Sequence, residues 1–275
     1  MGRIKFYIIL CFYILCSFKL HAFSDSILHV ALQKNIAGSF RNFYADNLGN
    51  IYIITTANQV RKYNDKGDSV AVFNEVKRYG TIWSMDVTNP LRIIVYYKDF
   101  ATAVIVDRFL NIRTSIDLKA AGITQVKAVA QSYDNNIWMF DELENKIKKI
   151  DESGKVVFES TDFRLLFDEA VMPDILVDNN KILYLYDKQK GWYLFDYYGA
   201  FQKKIPYANW QNVQVNDNIL TGTQNNTLCF ATINTFAGVD CKQIDMNAQN
   251  TIKMQYQLNK LYVLHDNGLD IFLVQ

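Results

Sequence analysis

Proline and glycine are scarce here, with 3 Pro and 12 Gly in 275 residues, which leaves little material for flexible linkers. Their place is taken by 17 Tyr and 18 Phe, residues that favour pleated strands. Histidine is scarcer still, at three residues. No H-E-x-x-H, G-x-S-x-G, phosphate-loop or C-x-x-C pattern occurs, so triads, two-histidine metal sites and nucleotide loops are poorly supplied. A surplus of one charge is also missing, because 29 basic side chains face 28 acidic ones. A nucleic-acid binder needs excess Lys and Arg to displace counterions from phosphate, so no nucleic-acid partner is expected.

Long apolar runs are confined to the N-terminus. Phe6 to Phe18 follows the basic opening MGRIK and is too short to cross about 30 Å of hydrocarbon at about 1.5 Å per residue. It reads as a signal peptide spanning residues 1–22, with Leu20-His21-Ala22 before the cut and Phe23 as the first mature residue. The rival readings are a lipoprotein at Cys16, which bulky Leu15 disfavours, and an uncleaved anchor. Arg3, Lys5 and Lys19 would leave with the leader, so the mature chain, residues 23–275, becomes slightly acidic.

Of four cysteines, Cys11 and Cys16 lie in the leader. Cys229 and Cys241 flank a segment with a turn-like centre at Asn234-Thr235 and Gly238 and could face each other across a hairpin. In an oxidising compartment they would form a disulfide closing a loop of about 13 residues, contributing on the order of 2–3 kcal/mol; otherwise they are two buried thiols. Two cysteines without further ligands cannot fill a tetrahedral metal shell.

Self-similarity decides the fold. Asp46 to Ile54, then Asn58 to Tyr63, then Asp65-Lys66-Gly67 form one unit, repeated at Asp134 to Gly154 and at Asp178 to Gly199. Weaker copies run from Arg92 to Asp107, from Asn218 to Thr232 and from Lys260 to Leu273. Each reads as an Asx-type turn, an apolar inner strand, a polar turn, an alternating strand and a Gly turn into an outer strand. The anchors Ile51, Ile93, Ile137, Ile182, Ile219 and Leu261 are 42, 44, 45, 37 and 42 residues apart. That period fits a four-stranded propeller blade and is too long for a leucine-rich repeat. The expectation is an all-β, six-bladed β-propeller forming a single domain. Its last unit lacks one strand, and Ser26 to Leu32 would supply it and close the ring.

The run D-x-x-G-N-I-Y at 46–52, followed by N-x-V-x-K-Y and D-x-G, resembles NHL-repeat and related six-bladed propellers. Beyond it, the blocks Thr88 to Arg113, Val129 to Gly154 and Tyr193 to Trp210 resemble exported propellers of Bacteroidota associated with the plug subunit of the type IX secretion translocon. The resemblance implies a periplasmic protein peripheral to the outer membrane, partnered by an envelope secretion complex.

Candidate chemistry is thin. His29 falls in a strand pattern and His265 at a strand end, and both read as structural. Asp99, Asp141, Asp187 and Asp266 follow the apolar strands of four units and should share one end of the ring. They could hold a cation through carboxylate oxygens or merely cap tight turns. No cofactor is expected. Phe100, Phe163, Phe167, Tyr197, Tyr198 and Trp210 fall in loops or loop edges, where they would either meet a partner or tuck between blades. The segment Thr161 to Asp168 has helical spacing and reads as a short helix; Lys203-Lys204 reads as an ordinary strand end. The function expected is non-catalytic docking on an envelope partner; a metal-dependent hydrolase or lyase, or a small-ligand sensor at the channel mouth, is the alternative.

Overall fold

A computed structural model describes residues 27–224, 227–233, 238–246 and 250–275. The leader and the turn centre at Asn234-Thr235 lie outside the described residues. Six antiparallel sheets follow one another along the chain. Blade 1 holds the strands Phe40–Ala45, Ile51–Thr55, Val60–Tyr63 and Ser69–Phe73. Blade 2 is built from Ser84–Asp86, Ile93–Tyr97, Thr102–Val106 and Ile112–Asp117, and blade 3 from Val126–Gln131, Ile137–Asp141, Lys146–Ile150 and Val156–Glu159. Ile175–Asn179, Ile182–Asp187, Gly191–Asp196 and Phe201–Ile205 make blade 4, while Gln211–Asn216, Ile219–Gln224, Thr227–Thr232 and Val239–Ile244 make blade 5. Blade 6 has Thr251–Gln257, Lys260–His265 and Gly268–Val274. The first strands of neighbouring blades approach one another around the central axis, as in a six-bladed propeller.

The fourth strand of blade 6 comes from the other end of the chain. Val30–Ala37 pairs antiparallel with Gly268–Val274, from Val30 opposite Val274 to Ala37 opposite Gly268. The closing strand thus runs further than Ser26 to Leu32. The segment before it belongs to another blade, since Ile27–Leu28 lies parallel to the outer strand of blade 5. One short N-terminal stretch therefore clasps two blades.

All six anchors begin or nearly begin the second strand of their blade, so the continuous apolar strand is second from the axis rather than innermost. Its two faces are both buried, because each contributes to a different core. Ile93, Val95 and Tyr97 pack against blade 1, whereas Ile94 and Tyr96 pack against blade 3. Alternation along a strand normally shows one polar face, and burial on both sides erases it. The first strands, with one edge toward the channel, stay mixed in composition.

The turn motif has a direct physical reading. Asp46 is buried, and its carboxylate accepts hydrogen bonds from Leu48 N (2.9 Å), Asn50 N (2.9 Å), Asn50 Nδ2 (2.8 Å) and Tyr52 Oη (3.0 Å). Gly49 sits at φ +79°, where a Cβ is disfavoured. Asp, Gly, Asn and Tyr of the motif are thus one hydrogen-bonded unit. Cys229 and Cys241 are directly opposed in the pair formed by the last two strands of blade 5, and their sulfurs are bonded. Among the described residues, no helix is long and apolar enough to cross a membrane.

Candidate functional site

Antiparallel order puts the connections between blades and the turns between second and third strands on one face of the disc. The remaining turns emerge on the other. Asp99, Asp141, Asp187 and Asp266 all fall on the first face, yet they do not converge. Asp141 is buried against Lys148 (3.0 Å) and accepts from Leu143 N (3.0 Å). Asp187 accepts from Gln189 N and Met172 N, both at 2.9 Å. Asp99 and Asp266 are exposed. Among the described residues no three His, Cys, Asp or Glu side chains come together as a metal site, and two of these aspartates act as turn caps.

The loop aromatics divide by whether their connection folds back over a gap between blades. Phe163 is 0% exposed, stacked on Phe195 at 5.4 Å, and Trp210 is 3% exposed, stacked on Tyr207 at 5.5 Å. Both are core rather than contact residues. Phe167 is half-buried beside Phe163, edge-on to Phe201 at 4.9 Å. Phe100 remains 54% exposed on the first face and Tyr198 79% exposed on the other. Half-buried Tyr197 joins Tyr198 (5.0 Å) and Tyr133 (4.4 Å) and covers Lys149, whose ammonium also lies 4.2 Å above Trp138 and 3.1 Å from Asp134.

Two segments on the first face are stitched into one surface. The turn after the second strand of blade 3 and the connection from blade 3 to blade 4 are joined by Asn145 Nδ2 to Val171 O (2.9 Å), Phe163 N to Asn145 O (2.9 Å) and Arg164 Nη2 to Glu144 O (3.3 Å). The connection contains the short helix expected there, α2 (Phe163–Leu166), after α1 (Val76–Tyr79) between blades 1 and 2. Asp162 caps α2 by accepting from Arg164 N at 2.9 Å. With Phe163 held in the core, the helix turns Leu165, 76% exposed, and Leu166 outward; Leu143 and Met172 are exposed beside them in the same two segments.

The channel mouth on this face holds a cleft of about 350 Å³ lined by Arg41, Asn42, Ile82, Trp83, Lys98 and Asp99. Trp83 is 52% exposed. Its indole donates to Lys127 O (3.1 Å), and the Lys98 ammonium sits 4.7 Å from its ring. Lys98 also pairs with Glu142 at 2.9 Å. Sequence reasoning passed over Arg41, Trp83 and Lys98; the one available signal was a tryptophan just ahead of a first strand, where connections reach the channel.

His265 Nε2 lies 3.4 Å from Asp270, which also accepts from Asn35 Nδ2 at 2.6 Å. His29 lies 3.0 Å from Asp245. Both histidines therefore sit in carboxylate contacts away from the cleft.

Neither a family profile nor a curated protein matches the sequence. Solved structures match in fold. A streptogramin B lyase superposes with a TM-score of 0.57 at 16% identity, covering 85% of this chain and 78% of its own. Virginiamycin B lyase from Staphylococcus aureus, a catalytically inactive histidine-to-alanine variant with quinupristin, gives 0.58 at 12% identity over 90% of this chain and 99% of the other. The selenomethionine form of that lyase gives 0.59 at 12% over 90% and 100%. At these identities the likeness is one of fold, that of the six-bladed propeller.

Proposed function

We propose that this chain is a non-catalytic interaction disc of the bacterial envelope that docks on an outer-membrane partner, serving the type IX secretion translocon as its plug. The observation that carries the reading is the ordered apolar surface of Leu143, Leu165, Leu166 and Met172. These side chains project from two segments locked by hydrogen bonds and by the buried Phe163. Apolar side chains held rigidly in water lose little conformational entropy on meeting a partner, and exposed apolar patches of this kind mark interaction surfaces. The Cys229–Cys241 disulfide suits an exported, oxidising location. The blocks Thr88 to Arg113, Val129 to Gly154 and Tyr193 to Trp210, which resemble exported propellers, are what suggests the secretion context.

A lyase role, suggested by the names of the structural neighbours, is less well supported. The inactive form of that lyase lacks one histidine, and the described histidines of this chain, His265 and His29, lie away from the cleft, against Asp270 and Asp245.

The test is affinity capture of the tagged, exported protein from gently solubilised envelope, with partners identified by mass spectrometry. A stoichiometric outer-membrane barrel, lost with Leu165→Glu, is expected. Recovery of the disc alone would overturn the proposal.

A further inference from the structure

The first strands of four blades carry a register slip at this same mouth of the channel, at Phe40/Asn42, Val126/Ala128, Gln211/Gln214 and Thr251/Lys253. Such a bulge adds residues to one strand and re-aims its side chains. The inserted residue is Arg41 in blade 1 and Lys127 in blade 3. Each reaches the following inter-blade connection in the same way, Arg41 Nη2 donating to Ile82 O at 2.6 Å and Lys127 Nζ to Met172 O at 2.8 Å.

Their charges are handled differently. Lys127 is neutralised by Asp174 at 3.0 Å, whereas Arg41 has no carboxylate partner among the described residues. Lys253, beside the blade 6 bulge, lacks one too. Its ammonium donates to Asn42 Oδ1 (2.9 Å) and Phe43 O (2.7 Å) and lies 4.0 Å from the Tyr44 ring. Burial without a counter-ion pushes it down to about 7. Arg41 is thus an uncompensated cation on the wall of the cleft, and Lys253, bonded to Asn42 beside it, carries its full charge only as pH falls below about 7.

We propose that this cleft binds a small monocarboxylate with a flat apolar body, its carboxylate against Arg41 and its ring against Trp83. The planar guanidinium presents paired donors that match a carboxylate. Trp83 offers an exposed face whose orientation is already fixed by Lys127 O. A cleft of about 350 Å³ falls in the range of small-molecule sites. Glu142 takes the charge of Lys98, and Asp99 on the wall opposes a second negative charge, so phosphate and dicarboxylates are disfavoured. Below about pH 7 a charged Lys253 adds positive field beside Asn42. The site is independent of the docking surface and stands or falls separately from it.

Calorimetric titration with benzoate tests the proposal, with benzamide and inorganic phosphate as controls. Trp138, Trp192 and Trp210 are buried, so the solvent-exposed part of the tryptophan emission reports Trp83. Saturable binding of the acid is expected, about tenfold or more tighter than the amide or phosphate. It should shift the emission in wild type and not in Trp83→Leu. Arg41→Met should weaken binding about tenfold or more, with Arg41→Lys recovering part, and Lys253→Met should weaken it several-fold at about pH 6, where the ammonium is charged, and less at about pH 8. Equal binding of acid and amide, no saturable heat up to about 10 mM acid, or wild-type affinity in a natively folded Arg41→Met would each overturn it.

Discussion

Replacing Phe163 with alanine should undo the apolar surface from beneath. A single helical turn such as α2 cannot stand alone in water, so its order is borrowed from the side chain that enters the core. That ring is fully buried, stacked on Phe195 and 5.8 Å from Phe140 and 5.3 Å from Phe167. Removing it leaves a cavity between blades 3 and 4 and should cost about 3–5 kcal/mol. For a domain of this size that lowers the melting temperature by roughly 6–20 °C. Urea unfolding followed by circular dichroism should show the midpoint falling at constant slope. Hydrogen exchange supplies a local readout, because the amides of Leu165, Leu166 and Phe167 bond to Asp162 O, Asp162 O and Phe163 O and should lose protection. Leu165→Ala, on the exposed side of the same turn, should change stability by less than about 0.5 kcal/mol while still weakening partner capture. A cost below about 1 kcal/mol for Phe163→Ala, with α2 still protected, would refute the claim that this ring holds the surface in place.

Three further outcomes follow from the geometry. Reducing the Cys229–Cys241 bond, which closes a loop with a sequence separation of 12, should cost about 3 kcal/mol; identical unfolding midpoints with and without reductant would show that the link contributes nothing. Lys190, Tyr193 and Lys204 hold the Glu169 carboxyl down at about 2, so its contribution is complete above the ordinary value of 4.5 and is lost as pH falls toward 2. Glu169→Gln should flatten that part of the acid-unfolding curve, and an NMR titration midpoint near 4.5 for the carboxyl would contradict it. Gly191 lies at φ +92°, and a Cβ there would meet Ile205 O at 2.4 Å, so Gly191→Ala should lose more than about 1 kcal/mol in the same unfolding assay.

The fold was legible because burial on both faces leaves short continuous apolar runs, and these recur at the spacing of a propeller blade. Runs such as Ile93 to Tyr97 feed two cores at once, and their recurrence sets the blade count. Pairing partners were less legible. Ser26 to Leu32 reads as one strand, but the chain divides at His29 between blades 5 and 6, and alternation within a strand says nothing about which sheet receives it. Phe100 and Phe163 look alike in sequence, each a loop aromatic, and only the course of the connection separates a solvent-facing ring from a core one. The cleft was least legible. Arg41 becomes a channel-mouth residue through a bulge, and a bulge is a mismatch between two strands rather than a property of either.

The pairing of Val30–Ala37 with Gly268–Val274 also sets an order of events. Contacts between residues so distant in sequence form slowly, so blade 6 is finished only when the last strand of the chain is available to the first. Until then both bear open edges, the kind of surface that invites a foreign strand. Blades 1 to 4 need no such help, since their strands are contiguous. The seam is thus where the disc closes last and where tension on the N-terminal segment would be felt first. A partner that seized that segment would hold the protein as an open crescent rather than a ring.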